Sequence, residues 1–154
     1  MTGATSAPDL DAALQSMATS QHTLLKQVDP IREHIHACTD ITGFGLLGHL
    51  GEMLQNNSGL NIQLDGSAIP AYHGALDLFK RGVASTLAPS NRTAWQWLEG
   101  PVQLKQHPSA GLLELLVDPQ TCGPLLLACS SATAAQLTQN GPWLQIGSAT
   151  AAHG

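Results

Sequence analysis

Ala37-Cys38-Thr39-Asp40-Ile41-Thr42-Gly43-Phe44-Gly45-Leu46-Leu47-Gly48-His49 is the stretch on which the reading of this 154-residue chain turns. On its upstream side His34, Ile35, His36 and Ala37 alternate polar and apolar, which predicts a half-buried strand over 34–39. On its downstream side Leu46, Leu47, Leu50, Met53 and Leu54 fall on one stripe, which predicts a helix over 43–55 stopped by Asn56-Asn57-Ser58-Gly59. Asp40 therefore stands at the tip of a strand, with a hydroxyl and two glycines in the turn that follows. Glycine lets a backbone turn tightly and approach a ligand closely. A helix start offers unpaired N–H groups to an anion. The Asp40 carboxylate is an oxygen ligand suited to a hard cation such as Mg²⁺ beside a phosphate.

The same letters permit two other readings. Gly43, Gly45 and Gly48 spell G-x-G-x-x-G between a strand and a helix, with Asp65 ending the next strand, as in a dinucleotide-binding turn. Against it, His34 and His36 make the strand half polar, Asp40-Ile41-Thr42 intervenes before the first glycine, and a run of apolar parallel strands is missing. In the other reading Asp40 and Thr42 cap the helix and the glycines ease packing.

Working outward, Leu10, Ala13, Leu14, Met17, Leu24 and Leu25 predict a first helix from Asp9 to about Val28, closed by Pro30. Residues 1–8 read as a disordered or boundary segment and 9–150 as the domain. A short strand is expected at 61–65, a helix from Pro70 to Lys80, a short helix at 91–98 and a strand at 102–104. Leu112–Val117 suits helix or strand and ends at Asp118-Pro119. Leu125–Cys129 reads as a buried strand, 132–139 as a helix and Trp143–Ile146 as a closing strand. The order describes an α/β (α+β) domain with a mixed sheet of about four or five strands and helices packed on it.

Composition removes several classes of function. Net charge is −5 and the six Lys and Arg are scattered, so the basic stripe of a nucleic-acid binder is missing. No apolar run approaches a membrane span, and the first residues lack the pattern of a secretory signal, so a soluble cytoplasmic protein is expected, with neither nucleic acid nor membrane as partner. Cys38, Cys122 and Cys129 are odd in number without C-x-x-C spacing and read as free thiols in a reducing compartment. Of the seven His, only His34 and His36 form a close pair, beside no second cluster, so a His metal site is not expected.

Thr39–His49 resembles, nearly residue for residue, the central signature of the selenophosphate synthetases (selenide, water dikinases). Ser85-Thr86-Leu87-Ala88-Pro89-Ser90-Asn91-Arg92 resembles that family's Ala-Pro-x-Asn-Arg segment. Leu115-Leu116-Val117-Asp118-Pro119-Gln120-Thr121 resembles its Asp-Pro-Gln-Thr-Ser-Gly-Gly motif. The motifs come in the family's order, and Gly43-Phe44-Gly45 with Asp118-Pro119-Gln120-Thr121 argues against other superfamily members such as thiamine-monophosphate kinase. Departures are Cys122-Gly123-Pro124 in place of Ser-Gly-Gly, and Thr19-Ser20-Gln21-His22 where the family commonly carries Asn-Arg.

The resemblance implies the C-terminal domain of an aminoimidazole ribonucleotide synthetase-like protein whose N-terminal domain binds ATP. It implies a reaction taking ATP, selenide and water to selenophosphate, AMP and phosphate, and an intact homodimer. The catalytic Cys or selenocysteine and its Lys belong to the family's glycine-rich N-terminal segment, so no catalytic residue is expected in this chain, which is expected to be inactive alone. Asp40 matches a family Mg²⁺ ligand, and Thr42, Gly43 and Gly45 are expected to shape the ATP-binding loop. Asn91, Arg92 and Gln120 are candidates for the interdomain cleft. His49, on the first turns of its helix, is expected only to pack or cap. From another class of function, a free-standing binding or regulatory module of the same fold is the alternative.

Overall fold

A computed structural model describes residues 4–55, 59–98 and 100–152. The elements in chain order are α1 (Ala7–Met17), α2 (His22–Val28), β1 (Ile35–Asp40), α3 (Gly45–Leu54), β2 (Leu60–Leu64), α4 (Ala75–Lys80), α5 (Ala88–Asn91), α6 (Thr93–Leu98), β3 (Val102–Leu104), α7 (Ala110–Val117), β4 (Leu125–Cys129), α8 (Ser131–Asn140) and β5 (Gly147–Ala151). The mixed α/β class expected from the sequence is present, but its strands form two sheets. β1 and β4 pair antiparallel, with Cys38 opposite Leu127 and Asp40 opposite Leu125. In the other sheet β2 is central, parallel to β3 and antiparallel to β5.

Both sheets owe their register to alternation. β1 buries every second residue partially and exposes His36, Cys38 and Asp40. β2 buries Ile62 and Leu64 and exposes Asn61 and Gln63. A one-residue slip would exchange these faces, so the pattern fixes the pairing. The core draws on both sheets and several helices: Leu46, Leu47 and Leu50 of α3 cluster with Leu116 and Val117 of α7, Ile62, Leu64, Val102, Ala88, Leu98 and Leu126. Leu47 and Leu116 are sealed from solvent, and burial of each such leucine is worth about 2 kcal/mol.

Local signals account for most boundaries. Ser6 and Ser109 cap α1 and α7 through their hydroxyls, and Ser130 caps α8. The cap at Ser109 makes 110–117 a helix, resolving a segment whose apolar run suited either state. Three expectations are corrected. The first helix starts at Ala7 and breaks after Met17: Thr19 Oγ1 donates to Gln15 O, and the Ser20 hydroxyl accepts the His22 N–H, so both hydroxyls divert the backbone. Pro70 does not open α4, which begins at Ala75 behind Gly74 in the left-handed region (φ 75°). The closing strand is 147–151, not 143–146. Trp143 is drawn to Gln27 through Nε1, 3.0 Å from Oε1, while Gly147 lies so close to β2 that an added Cβ would stand 2.6 Å from Gln63 O. The expected stop at Asn56-Asn57-Ser58 lies outside the described residues.

Candidate functional site

Segments far apart in the sequence converge at the start of α3. The turn after β1 is held by backbone: Gly45 N–H and Gln120 N–H both donate to Thr42 O, at 3.0 and 2.9 Å, and Ile41 N–H donates to Pro124 O at 3.0 Å. The Asn91 amide spans the gap from α5, donating to Gly43 O at 2.9 Å and to Val117 O at 3.0 Å. The three stretches that carried the family resemblance, around 37–49, 85–92 and 115–124, thus form one loop cluster.

Glycine is required here by close approach. Gly45 is buried with φ 69°, and a Cβ on it would stand 2.8 Å from the Val117 carbonyl carbon. A Cβ on Gly123 would stand 2.1 Å from Ile41 O. Cys122, the residue before it, takes φ 51°, an uncommon conformation for a side-chain-bearing residue. Pro124, which has no N–H to offer, contributes its carbonyl, accepting from Ile41 N–H. Gly45 therefore serves packing of α3 against α7. Gly43 is exposed and has open space around it, so a ligand can approach the backbone there.

Asp40 is exposed at the tip of β1, and its carboxylate accepts no hydrogen bond and joins no ion pair among the described residues. Its charge, together with burial, pushes the Cys38 thiol up, burial being the larger cause. No group of three or more His, Cys, Asp or Glu is gathered for a metal among the described residues. The donor set therefore fits a hard cation that brings most of its ligands as water or phosphate, and does not fit an all-protein cage.

Thr42 turns its hydroxyl to His49, with Oγ1 3.0 Å from Nε2, and His49 Nδ1 lies 2.9 Å from Glu52 Oε2. His49 is only 7% exposed and lies beneath the tilted ring of Phe44, centroids 5.7 Å apart, while Phe44 itself is 59% exposed. From the sequence, His49 is expected only to pack or cap; it is buried, and it also bonds to both Thr42 and Glu52. The signal was present, because Glu52 follows His49 by three positions on one helix face.

Of the remaining candidates, Asn91 holds backbone and Gln120 braces the 118–120 turn, its Nε2 donating to Asp118 Oδ2 at 2.9 Å. Arg92 pairs with Glu114, which is 7% exposed and whose second oxygen, Oε1, is buried without a partner. Burial raises the Asp118 carboxyl; Gln120 opposes the shift, and the Glu114 charge adds to it. A separate shallow depression of about 210 Å³ lies over the polar face of the three-stranded sheet, lined by Asn61, Gln63, Gln103, Ser148 and Thr150, and holds none of these groups. No helix among the described residues is long and apolar enough to cross a membrane.

Residues 4–154 match the family model for AIR synthase related protein, C-terminal domain. The chain is 37% identical over 134 residues to a selenide, water dikinase of Bdellovibrio bacteriovorus, covering 85% of this chain and 36% of that protein. It is 40% identical over 103 residues to one of Caldanaerobacter subterraneus, covering 67% and 28%, and 37% identical over 107 residues to one of Treponema denticola, covering 70% and 29%. The chain thus spans about a third of the length of these relatives. A match over nearly every residue, with its motifs folded into one cluster, means that the chain belongs to the family of AIR synthase related proteins as their C-terminal domain.

Proposed function

We propose that this chain is the C-terminal domain, residues 9–150, of a selenide, water dikinase, acting beside an N-terminal ATP-binding domain in a cytoplasmic homodimer. The intact enzyme would convert ATP, selenide and water to selenophosphate, AMP and phosphate. The observation that carries this reading is Asp40: an exposed carboxylate without a protein partner, at the tip of β1, beside the open backbone of Gly43. Asp40 would supply one oxygen ligand to the Mg²⁺ of Mg-ATP. That cation neutralises charge that develops on the phosphates during transfer. The loop from Thr42 to Gly45 would close the nucleotide site from this side, with Gly43 offering the open approach and Gly45 fixing the loop on α7. Asn91 and Gln120 keep the loop in place through backbone contacts.

The catalytic nucleophile and its Lys would belong to the other domain, so this chain alone would be inactive. Titrating it with ATP and Mg²⁺ is expected to give weak or undetectable binding, since one carboxylate and a few backbone groups cannot hold a nucleotide. Tight binding would favour a free-standing nucleotide-binding module. In an intact enzyme carrying this domain, Asp40→Asn is expected to depress Mg²⁺-dependent ATP turnover severely with the fold unchanged by circular dichroism. Full turnover in that variant would remove Asp40 from the metal site.

A further inference from the structure

With a neutral ring, the hydrogen bonds around His49 run in one consistent direction. A carboxylate only accepts, so the contact with Glu52 Oε2 places a proton on His49 Nδ1. In a neutral imidazole the other nitrogen then bears a lone pair, so Nε2 accepts and the Thr42 hydroxyl donates to it. A hydroxyl has one proton. With that proton turned toward α3, the Thr42 oxygen has only lone pairs left to offer.

We propose that the His49–Glu52 pair is a positioning device that sets Thr42 as a hydrogen-bond acceptor, and that the donor it receives is a water molecule on the cation held by Asp40. The inference rests on the reading of Asp40 as a cation ligand. Thr42 stands two residues from Asp40 in the same turn, half-buried, with its main-chain oxygen already bound to Gly45 and Gln120 N–H groups. Its backbone cannot swing away, so the hydroxyl has a fixed place. Phosphate oxygens carry lone pairs of their own and would be repelled by an oxygen in this state, so Thr42 does not serve as a phosphate donor. Mg²⁺ dehydrates reluctantly and keeps several waters, whose protons point outward toward just such an acceptor. Burial of His49 under Phe44 keeps solvent from competing for Nε2.

Two measurements on this chain test the assignment. Long-range ¹⁵N–¹H correlation at neutral pH should show His49 as a single tautomer with the proton on Nδ1. A proton on Nε2, in either the other tautomer or the doubly protonated ring, would overturn it. In the second, Mn²⁺ is titrated as a probe and broadening of the amide signals of residues 40–45 is followed, a readout that works at weak affinity. Thr42→Ser should retain the broadening and Thr42→Val should weaken it several-fold, with unshifted Leu47 and Leu116 amides reporting an intact core. Equal broadening in Thr42→Val would end the part given to Thr42 while sparing Asp40. Absence of broadening in the unaltered chain would sink the Asp40 reading itself, and Thr42 would lose its donor.

Discussion

The loop cluster at the start of α3 and the three-stranded sheet of β3, β2 and β5 are stabilised in different ways. In the sheet, alternation does the work: Ile62, Leu64 and Val102 face the core while Asn61, Gln63, Gln103, Ser148 and Thr150 face out. Any similarly alternating set would pair as well. In the cluster, polar groups are committed to particular backbone atoms, and two glycines sit where a Cβ would enter the main chain of another segment, the end of α7 for Gly45 and the turn after β1 for Gly123. The lesson is that a motif readable letter by letter marks backbone held against backbone, whereas a pattern readable only by its period marks a face.

The largest test of that contrast uses two glycines with similar crowding. Gly123→Ala places a Cβ 2.1 Å from Ile41 O in a turn bonded on several sides, and is expected to cost about 3 kcal/mol or more in urea unfolding. Gly147→Ala, 2.6 Å from Gln63 O, lies on an edge strand that can shift outward and should cost clearly less. Equal losses would erase the distinction. Next in size, Asn91→Ala strips the donor from two carbonyls and should lower stability by about 1–2 kcal/mol. Its counterpart Gln63→Ala, on the exposed face, should stay within about 0.5 kcal/mol.

The smallest effects come from two aspartates of opposite sign. Asp118, in the cluster, has its carboxyl raised by burial, so the folded chain holds that proton more firmly than the unfolded one. Stability therefore falls as pH rises from the ordinary carboxylate value through the raised one. Asp65, at the end of β2, is held down to about 2, chiefly by the Ser67 hydroxyl, with Gln106 and Lys105 adding to it. Its contribution is present above the ordinary value and is lost as pH falls toward about 2. Asp118→Asn should raise the urea midpoint at pH 7 and Asp65→Asn should lower it, both differences fading on acidification. Changes of the same sign in the two variants would break the comparison.

Much of this was legible in the residues. Alternation gave β1 and β2, the apolar stripe gave α3, and the family motifs pointed to Asp40 and to the loop around it. The gaps have physical causes. Leu112–Val117 is apolar but for Glu114 and contains no clear period to choose helix over strand; the choice is made by the Ser109 cap outside it. Trp143–Ile146 is rich in residues that suit a strand, yet the stretch that pairs with β2 begins at Gly147, whose lack of a Cβ lets it lie against Gln63 O. That the strands divide into two sheets is set by pairings between distant segments, β1 with β4 and β2 with β3 and β5, which no local pattern records. The Arg92–Glu114 pair was hidden for the same reason, because the two charges meet only after α5 and α7 come together.

The break between α1 and α2 separates two fates for the opening segment. α1 buries no residue and is tethered at its start through Asp9, whose carboxylate contacts His73 2.9 Å away. Gln21, just past the break, reaches across 102 positions to donate from Nε2 to Gly123 O at 2.7 Å. A protease trimming this chain from its amino end would therefore meet a loose outer flap, then a latch. Removal through Met17 should leave the Thr42 loop as it is, whereas one further bite past Gln21 would free the turn that presses on Ile41.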